Sequence, residues 1–397
     1  MAIYLDHNAT TPVDPAVADA VVEALREDFG NASSVHAWGQ RAKARLDRAR
    51  SAVAALIGGD PSEVVFTGSG TEADVLALRG AAEALEPAGR RHIVVSAFEH
   101  EAVIQTAKAL ARRGWDVTWL SPTREGLVTA DALAAAVTDR TAIVSVMLAN
   151  NEVGTIQPIA ELAAIAHARG ALFHTDAVQA AGKVPIDVAA LGVDLLSLSG
   201  HKFGGPKGAG ALWIRRGTRL VSQMTGGRQE KNRRAGTENV PGLAGLGVAA
   251  ERARAKLAEM PRVAALRDAL EAGILAGVSG THVNGRPEAR VANTANIGFE
   301  GVEAESLVIA YDLEGIAVST GSACSSGTLE PSHVLKAMGL DPHDTQNAIR
   351  FSLGTSTTAD EVARVVAVTP TLVERLRAVT AGAASRGRDR EPASQAT

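Results

Sequence analysis

Short apolar segments alternate with longer amphipathic segments along the first half of the chain, and this alternation limits the folds open to it. Each apolar run has the length of a strand, and the segment after it has the pattern of a helix. The predicted strands are residues 63–66, 92–95, 116–120, 141–148, 171–174, 193–198 and 211–214. Repeated strand–helix units with apolar strands are typical of a mainly parallel sheet covered by helices on both faces. We therefore expect an α/β fold.

The character of the chain changes near Pro261, where we expect a domain boundary. The strand–helix units lie in residues 15–260, which we expect to form a large domain. Residues 261–380 mix short strands with helices, as a smaller α+β domain does. We expect residues 1–14 to pack with this small domain. Residues 381–397 are rich in Ala, Ser and Arg without an apolar period, so we expect a disordered tail.

Composition and charge exclude several kinds of protein. The chain has 40 Lys and Arg against 44 Asp and Glu, and its net charge of −4 is too small to indicate a nucleic acid or a membrane as the main partner. The single cysteine, Cys324, excludes a disulfide framework and a cysteine-rich metal site. No apolar run reaches the roughly 18 residues of a membrane span, and no secretory signal is recognisable. We expect a cytoplasmic enzyme.

One lysine lies where a parallel sheet usually places a binding site. Lys202 follows the predicted strand 193–198 and precedes the glycine-rich stretch 203–210. A lysine is costly to bury there unless it is neutral, paired or used covalently. One such use is a Schiff base with a carbonyl cofactor. By itself, an exposed lysine beside a turn is the simpler explanation, so the assignment depends on other residues.

A glycine-containing turn at residues 67–72 predicts an anion site. It joins a strand to a helix, so the backbone N–H groups near Gly70 and Thr71 meet the positive end of the helix dipole. A plain helix cap by Ser69 or Thr71 explains the turn equally well. The turn is not the Walker phosphate loop, because no Gly-Lys-Ser/Thr follows it.

Asp176 and Lys202 each follow a predicted strand, and ligands of such sheets bind beyond the carboxyl ends of the strands. Pyridoxal phosphate requires this pair, because the lysine bonds to its carbonyl and the carboxylate keeps its ring nitrogen protonated. The Gly70–Thr71 turn would take the phosphate. Further polar candidates are His100 against the ring face, Asn151 and Gln179 at the ring hydroxyl or the imine, and Ser199 and His201 at the phosphate. Each residue has an ordinary structural explanation singly, but their coincidence favours the cofactor.

Five motifs carry a resemblance to a known family. They are residues 4–11, 29–36, 150–155, 199–202 and 321–324. With them the chain resembles the cysteine desulfurases of the NifS/IscS type, in the class V aminotransferase family of fold type I pyridoxal-phosphate enzymes. The match covers nearly everything from residue 3 to about residue 376. It implies a fold type I transferase with a mainly parallel seven-stranded sheet, pyridoxal 5'-phosphate as cofactor and L-cysteine as substrate.

The resemblance also implies a role for each matching residue. Lys202 binds the cofactor and moves protons, Asp176 pairs the ring nitrogen, and Gln179 bonds the ring hydroxyl. The other implied contacts are His100 on the ring and as an acid or base, Asn151 at the ring hydroxyl and substrate, and Gly70, Thr71, Ser199 and His201 at the phosphate. Arg350 binds the substrate carboxylate, for which a guanidinium fork is suited. Thr237 reaches the phosphate of the other subunit's cofactor, which implies a homodimer.

Cys324 decides which chemistry of the family is expected. It lies among small residues, 319–328, that we expect to be mobile. A free cysteine is more often a small buried hydrophobe, but this polar surrounding disfavours that role. The thiolate is the nucleophilic form. We expect Cys324 to attack the sulfur of cofactor-bound L-cysteine and to become a persulfide while L-alanine departs.

Other interpretations stay open. A selenocysteine lyase or another class V aminotransferase would share this fold and cofactor site, although an aminotransferase needs no loop thiol. A scaffold without activity would tolerate the loss of Lys202 or Asp176, and both are present. We expect a protein as sulfur acceptor, with no membrane and no direct nucleic-acid contact. The sequence does not decide between iron–sulfur cluster assembly, tRNA thiolation and DNA phosphorothioation. The basic stretch 215–234 is a solvated loop or a surface for a partner.

Overall fold

The computed structural model describes residues 2–321 and 331–388. The strands of these residues are β1 (Ile3–Tyr4), β2 (Val64–Thr67), β3 (His92–Ser96), β4 (Asp116–Leu120), β5 (Thr141–Ser145), β6 (Leu172–Asp176), β7 (Leu195–Ser199), β8 (Gly210–Ile214), β9 (Thr281–Val283), β10 (Thr294–Phe299), β11 (Ile316–Ala317) and β12 (Ala348–Ser352). All seven strands predicted from the alternation are present, with small differences at their ends. The short strand β9 was not predicted.

Twelve helices accompany the strands in the same part of the chain. They are α1 (Pro15–Glu27), α2 (Ala37–Leu56), α3 (Gly70–Leu85), α4 (Glu101–Arg112), α5 (Ala130–Ala136), α6 (Ile159–Ala168), α7 (Val188–Leu191), α8 (Val240–Lys256), α9 (Met260–Gly277), α10 (Ala304–Leu313), α11 (His333–Ala337) and α12 (Ala359–Arg388). None of the described helices has both the length and the apolar character that crossing a membrane requires.

The largest sheet has seven strands in the order β2-β8-β7-β6-β5-β3-β4. Only β8 runs antiparallel to its neighbours, and the other pairs are parallel. Most of its strands are buried along their whole length, with helices packed on both faces. The sheet confirms the predicted α/β fold and its mainly parallel, seven-stranded arrangement.

The parallel order brings several polar residues to one edge of this sheet. Asp176 is the last residue of β6 and Ser199 the last of β7, and these strands are neighbours. Lys202 ends the 3-10 turn that follows β7. His100 comes after β3 and Asn151 after β5, the two strands that continue the parallel pairing. Their positions follow from strand order, since carboxyl ends of parallel strands meet at the same edge.

A second core lies around the antiparallel sheet β12-β10-β9. It contains Ile297 of β10 and Phe351 of β12, together with Ile3 and Leu5 from the start of the chain. The first residues reach this core because β1 pairs in parallel with β11. Residues of α11, such as Leu335, pack instead with the first core. The division of the chain into separate domains stays a prediction.

The last helix is longer than expected. We predicted a helix that ended at Val379 and a disordered tail from residue 381, but α12 continues to Arg388. The expectation of disorder is therefore wrong for residues 381–388. Alanine and arginine, which are frequent in this stretch, are among the best helix formers, and this favours continuation of the helix. Residues 389–397 lie outside the described part.

A left-handed turn interrupts the basic stretch 215–234. Glu230, Lys231 and Asn232 have φ angles of 45°, 57° and 64°, which cost non-glycine residues roughly 1–2 kcal/mol each. The Glu230 carboxylate holds the turn in place. It forms an ion pair with Arg50 at 2.7 Å and accepts the Phe66 backbone N–H at 3.0 Å. The turn is thus fixed to the edge strand β2 and is not a solvated loop.

Removing the Glu230 carboxylate should destabilise the protein. Glu230→Ala leaves the largely buried Arg50 guanidinium without its partner, and we expect a loss of about 3 kcal/mol in the free energy of unfolding. Urea unfolding followed by circular dichroism measures this loss. Asp116→Ala is the control, because Asp116 and its partner Arg140 are both exposed and such pairs contribute little. Equal effects of the two substitutions would contradict the assigned role of Glu230.

Candidate active site

The Lys202 amine is held by backbone carbonyls. Its Nζ donates to the carbonyl oxygen of Asn8 at 2.6 Å and to that of Ala9 at 2.9 Å. Burial lowers the pKa of Lys202 to about 8, and the nearby Arg350 acts in the same direction, while Asp176 opposes both. A substantial fraction of this amine is therefore neutral near physiological pH. A neutral amine can act as a nucleophile or a base.

Asp176 and His100 lie beside this amine. The Asp176 carboxylate is 4% exposed and accepts the Val178 backbone N–H at 2.8 Å. Burial raises its pKa, and the neighbouring His100 and Lys202 oppose that effect. Burial also lowers the pKa of His100. His100 Nδ1 accepts the Ala102 N–H at 3.1 Å, so the residue caps helix α4 and leaves only its second ring nitrogen for chemistry.

Three fully buried titratable groups lie near Asp176. Burial raises the pKa of Asp74 far above its usual value and that of Glu99 to about 8, and the Asp176 charge adds to both effects. Burial lowers the pKa of His174 to about 3. All three are therefore mainly uncharged at neutral pH. Asp176, with two titratable nitrogens close by, is the carboxyl that can best carry a negative charge in this region.

Asn8 connects the parts of the site, although the sequence analysis assigned it no role. Its carbonyl oxygen receives the Gln179 Nε2–H at 2.9 Å as well as the Lys202 amine. Its own side chain donates to the carbonyl oxygen of Asn151 at 3.1 Å and to Thr294 Oγ1 at 2.8 Å. The residue lies in the motif 4–11, which was the available signal. Nothing in the sequence showed which residues it would meet.

Arg350 and Asn151 present unpaired polar atoms. Arg350 Nη1 donates to the Asn151 carbonyl oxygen at 3.0 Å, and Nη2 forms an ion pair with Asp6 at 2.7 Å. Arg350 Nε and Asn151 Oδ1 are buried and have no hydrogen-bond partner among the described residues. Burying such atoms unpaired is costly, so a ligand donor and acceptor are expected there. The sequence analysis did not identify Asp6 as the partner of Arg350.

The opposite end of the site is formed by the start of helix α3. Ser69 Oγ accepts the Glu72 N–H at 3.1 Å, so the helix cap considered from the sequence is present. A Cβ atom built on Gly70 would lie 3.1 Å from Ser199 Cβ, which places the helix start directly against the end of β7. Thr71, next to Gly70, is exposed. First-turn N–H groups of a helix remain open to an anion.

The structure places the remaining predicted residues as follows. His201 is half-buried and hydrogen-bonds through Nδ1 to Thr10 Oγ1 at 3.1 Å. Thr237 is exposed and follows the left-handed turn at residues 230–232. Cys324 lies outside the described residues. Lys202, Asp176, Gln179, His100, Asn151, Arg350, Ser199, His201 and Gly70 all lie around one edge of the large sheet.

The chain approaches and leaves the segment with Cys324 at one buried carboxyl, that of Glu152. Ser332 Oγ donates to Glu152 Oε2 at 2.6 Å, and a Cβ on Gly321 would lie 3.0 Å from the same oxygen. Glu152 is 1% exposed and directly follows Asn151. In addition, His333 Nε2 bonds to the carbonyl oxygen of Glu99 at 2.9 Å. Both flanks of residues 322–330 are therefore attached to the site.

The chain is similar to known proteins over nearly its whole length. The family described as Aminotransferase class-V matches residues 3–365. Cysteine desulfurase 2 of Trichormus variabilis is 48% identical over 377 residues, which are 95% of this chain and 94% of that protein. A solved NifS-like protein has 37% identity and a TM-score of 0.89, covering 95% of this chain and 100% of its own. The structure of SspA in complex with cysteine has 34% identity and a TM-score of 0.79, covering 90% and 100%.

The low pKa of Lys202 gives a prediction for the chain without added cofactor. Acetylation by acetic anhydride requires the neutral amine, so labelling of Lys202 should rise through a midpoint at pH about 8. Burial disfavours the charged form below that value and leaves the neutral amine above it. Mass spectrometry of tryptic peptides gives the labelled fraction. Exposed lysines in the same digest are the control, with an ordinary midpoint near about 10.4. If Lys202 titrates with them, burial does not control this amine.

Proposed function

The chain belongs to the aminotransferase class-V family, in which it is a cysteine desulfurase, and we propose that Lys202 and Cys324 perform the two parts of its reaction. The 48% identity to a cysteine desulfurase over 95% of the chain supports the activity. The similar protein SspA, whose structure was determined with cysteine, supports L-cysteine as the substrate. The reaction converts L-cysteine to L-alanine and transfers the sulfur to the enzyme thiol.

Pyridoxal 5'-phosphate fits the groups at this edge of the sheet. Lys202 offers a partly neutral amine and Asp176 a buried carboxylate for the ring nitrogen. Asn151 Oδ1 is a buried acceptor without a partner among the described residues. Gly70 and Thr71 offer first-turn N–H groups for the phosphate, and Ser199 and His201 further donors. When bound, the cofactor supplies an electron sink for the substrate's Cα.

The protein's own groups would handle the proton of the substrate's Cα. Lys202 Nζ, neutral in part because burial lowers its pKa to about 8, would accept this proton and later return it. Asp176 would keep the ring nitrogen protonated, since its carboxylate is stabilised by His100 and the Val178 N–H. Gln179 would donate to the ring oxygen, and His100 would lie on the ring face.

Arg350 would orient the substrate through its carboxylate. The guanidinium is already fixed by the Asn151 carbonyl and Asp6. Because Asp6 neutralises part of its charge, an incoming carboxylate shares Arg350 with Asp6 instead of meeting a free cation. The unpaired Nε–H is the donor that such a carboxylate would satisfy. This arrangement favours a small amino acid held by one end.

Cys324 would carry out the sulfur transfer. Its thiolate would form an S–S bond to the substrate sulfur while the substrate's Cβ–S bond breaks. The electron pair of that bond stays with carbon, which takes a proton and leaves as L-alanine. The enzyme then holds a persulfide, which a sulfur-acceptor protein would take up. A free thiol nucleophile requires a reducing compartment, which supports the cytoplasm as the location.

A homodimer would complete the site through Thr237. This residue is exposed and follows a turn that is fixed to strand β2 by Glu230. A cluster of exposed apolar side chains supports a subunit contact: Phe29, Val35 and Trp38 are 69%, 92% and 51% exposed. Apolar side chains at this exposure favour burial against another protein surface.

Two substitutions separate the two parts of the reaction. Lys202→Ala should abolish the visible absorbance that appears when the wild type binds pyridoxal phosphate. Cys324→Ser should keep that absorbance and bind L-cysteine, but release sulfide under reductant at least about 100-fold more slowly, because the nucleophile is missing. Absorption spectra and a sulfide assay measure both results.

Matched measurements make this test decisive. Lys108→Ala removes an exposed lysine on α4 and should leave both spectrum and rate unchanged. Alanine formation is followed beside sulfide, since a transaminating enzyme would consume a keto acid instead. Sulfide release by Cys324→Ser at the wild-type rate would disprove the role of Cys324. An unchanged spectrum of Lys202→Ala would disprove the role of Lys202.

A further inference from the structure

A second buried lysine lies next to Lys202 and is not used by the proposed reaction. Lys183 is 9% exposed, and its Nζ donates to Gln179 Oε1 at 2.6 Å and to Asn8 Oδ1 at 3.0 Å. Both acceptors are uncharged amide oxygens, and the described residues offer this amine no carboxylate. A buried lysine without an acidic partner is costly. Burial also lowers its pKa well below the usual value.

Lys183 determines which way the Gln179 amide faces. An amide presents an acceptor on one side and two donors on the other, and only its partners decide the orientation. The Lys183 amine takes Gln179 Oε1, while Gln179 Nε2 donates to the Asn8 carbonyl at 2.9 Å. In the reversed orientation, N–H groups would face the amine, and the amide oxygen would face a carbonyl oxygen. Both contacts therefore fix the same orientation.

The same amine also fixes the Asn8 side chain. Asn8 Oδ1 accepts from Lys183 and from Asn293 Nδ2, each at 3.0 Å. Its Nδ2 must therefore point to its acceptors, Asn151 and Thr294. Asn8 in turn supplies the carbonyl that receives Lys202. One buried amine thus orders two amides that both contact the neighbourhood of the reactive lysine.

We propose that Lys183 is a positioning residue that fixes Gln179 as a donor towards the cofactor's ring oxygen. The inference rests on the proposed function, in which Gln179 bonds that oxygen. A fixed donor stabilises the deprotonated ring oxygen, whereas a freely rotating amide could also accept a proton from it. The titratable groups around Lys183 are Lys202, Arg350 and His7, so its removal also changes their surroundings.

The test is a pH titration of the visible absorbance of the enzyme reconstituted with pyridoxal phosphate. Lys183→Met, which keeps the volume and loses the donors, should raise the midpoint by about half a pH unit or more. We expect kcat to fall roughly tenfold and KM for L-cysteine to change less than about twofold. Lys108→Met, at an exposed position on α4, is the matched control and should leave the midpoint unchanged.

A double-mutant cycle separates positioning from charge. If Lys183 acts through Gln179, then Lys183→Met should add almost nothing to the shift already caused by Gln179→Ala. A shift that adds in full would mean that the charge alone acts, and it would overturn the proposal, as would an unchanged midpoint in Lys183→Met.

Two further results keep the outcome clear. If Lys183→Met does not fold, Lys183→Arg, which keeps donors, should retain the wild-type midpoint. A shift in Lys183→Arg as large as that of Gln179→Ala would overturn the proposal. A wild type that gains no visible absorbance with pyridoxal phosphate would instead refute the proposed function itself.

Discussion

The carbonyl group of Asn8 is the contact on which the candidate site depends. It accepts the amines of Lys202 and Gln179, which lie at the edge of the seven-stranded sheet. The side chain of the same residue reaches Thr294 of strand β10 in the second sheet. A segment near the start of the chain therefore joins the two sheets at the point where the reactive lysine lies. The lysine is positioned by the assembly of three parts of the chain and by no single element.

Burial sets the charges around this contact. Asp74, Glu99 and His174 are uncharged at neutral pH because the interior disfavours their ionised forms. The same effect makes Lys202 partly neutral. What remains charged is Asp176 together with the Arg350–Asp6 pair. The interior thus selects one carboxylate and one guanidinium to receive a charged ligand, and it keeps the amine available for covalent chemistry.

The sequence predicted what depends on local pattern. Alternating apolar and amphipathic segments determined the strands, and strand order then placed Asp176, Ser199 and Lys202 at one edge. The roles of Asn8 and Lys183 could not be predicted in this way, because their partners are distant in the chain or belong to another element. The left-handed turn at Glu230 was also missed, since the buried partner Arg50 is far away in the sequence. The tail failed for a different reason, because low hydrophobicity does not prevent a helix in an alanine-rich stretch.

The anchoring of the chain on both sides of residues 322–330 bears on how the two parts of the reaction are coupled. Ser332 and Gly321 meet the same Glu152 carboxyl, and Glu152 follows Asn151, whose carbonyl holds Arg350. Glu152 is itself buried, and burial raises its pKa. The substrate-orienting guanidinium and the flanks of the Cys324 segment are therefore attached to adjacent residues of one buried turn. A displacement of this turn would move both together, so substrate orientation and the starting point of sulfur transfer share one rigid support.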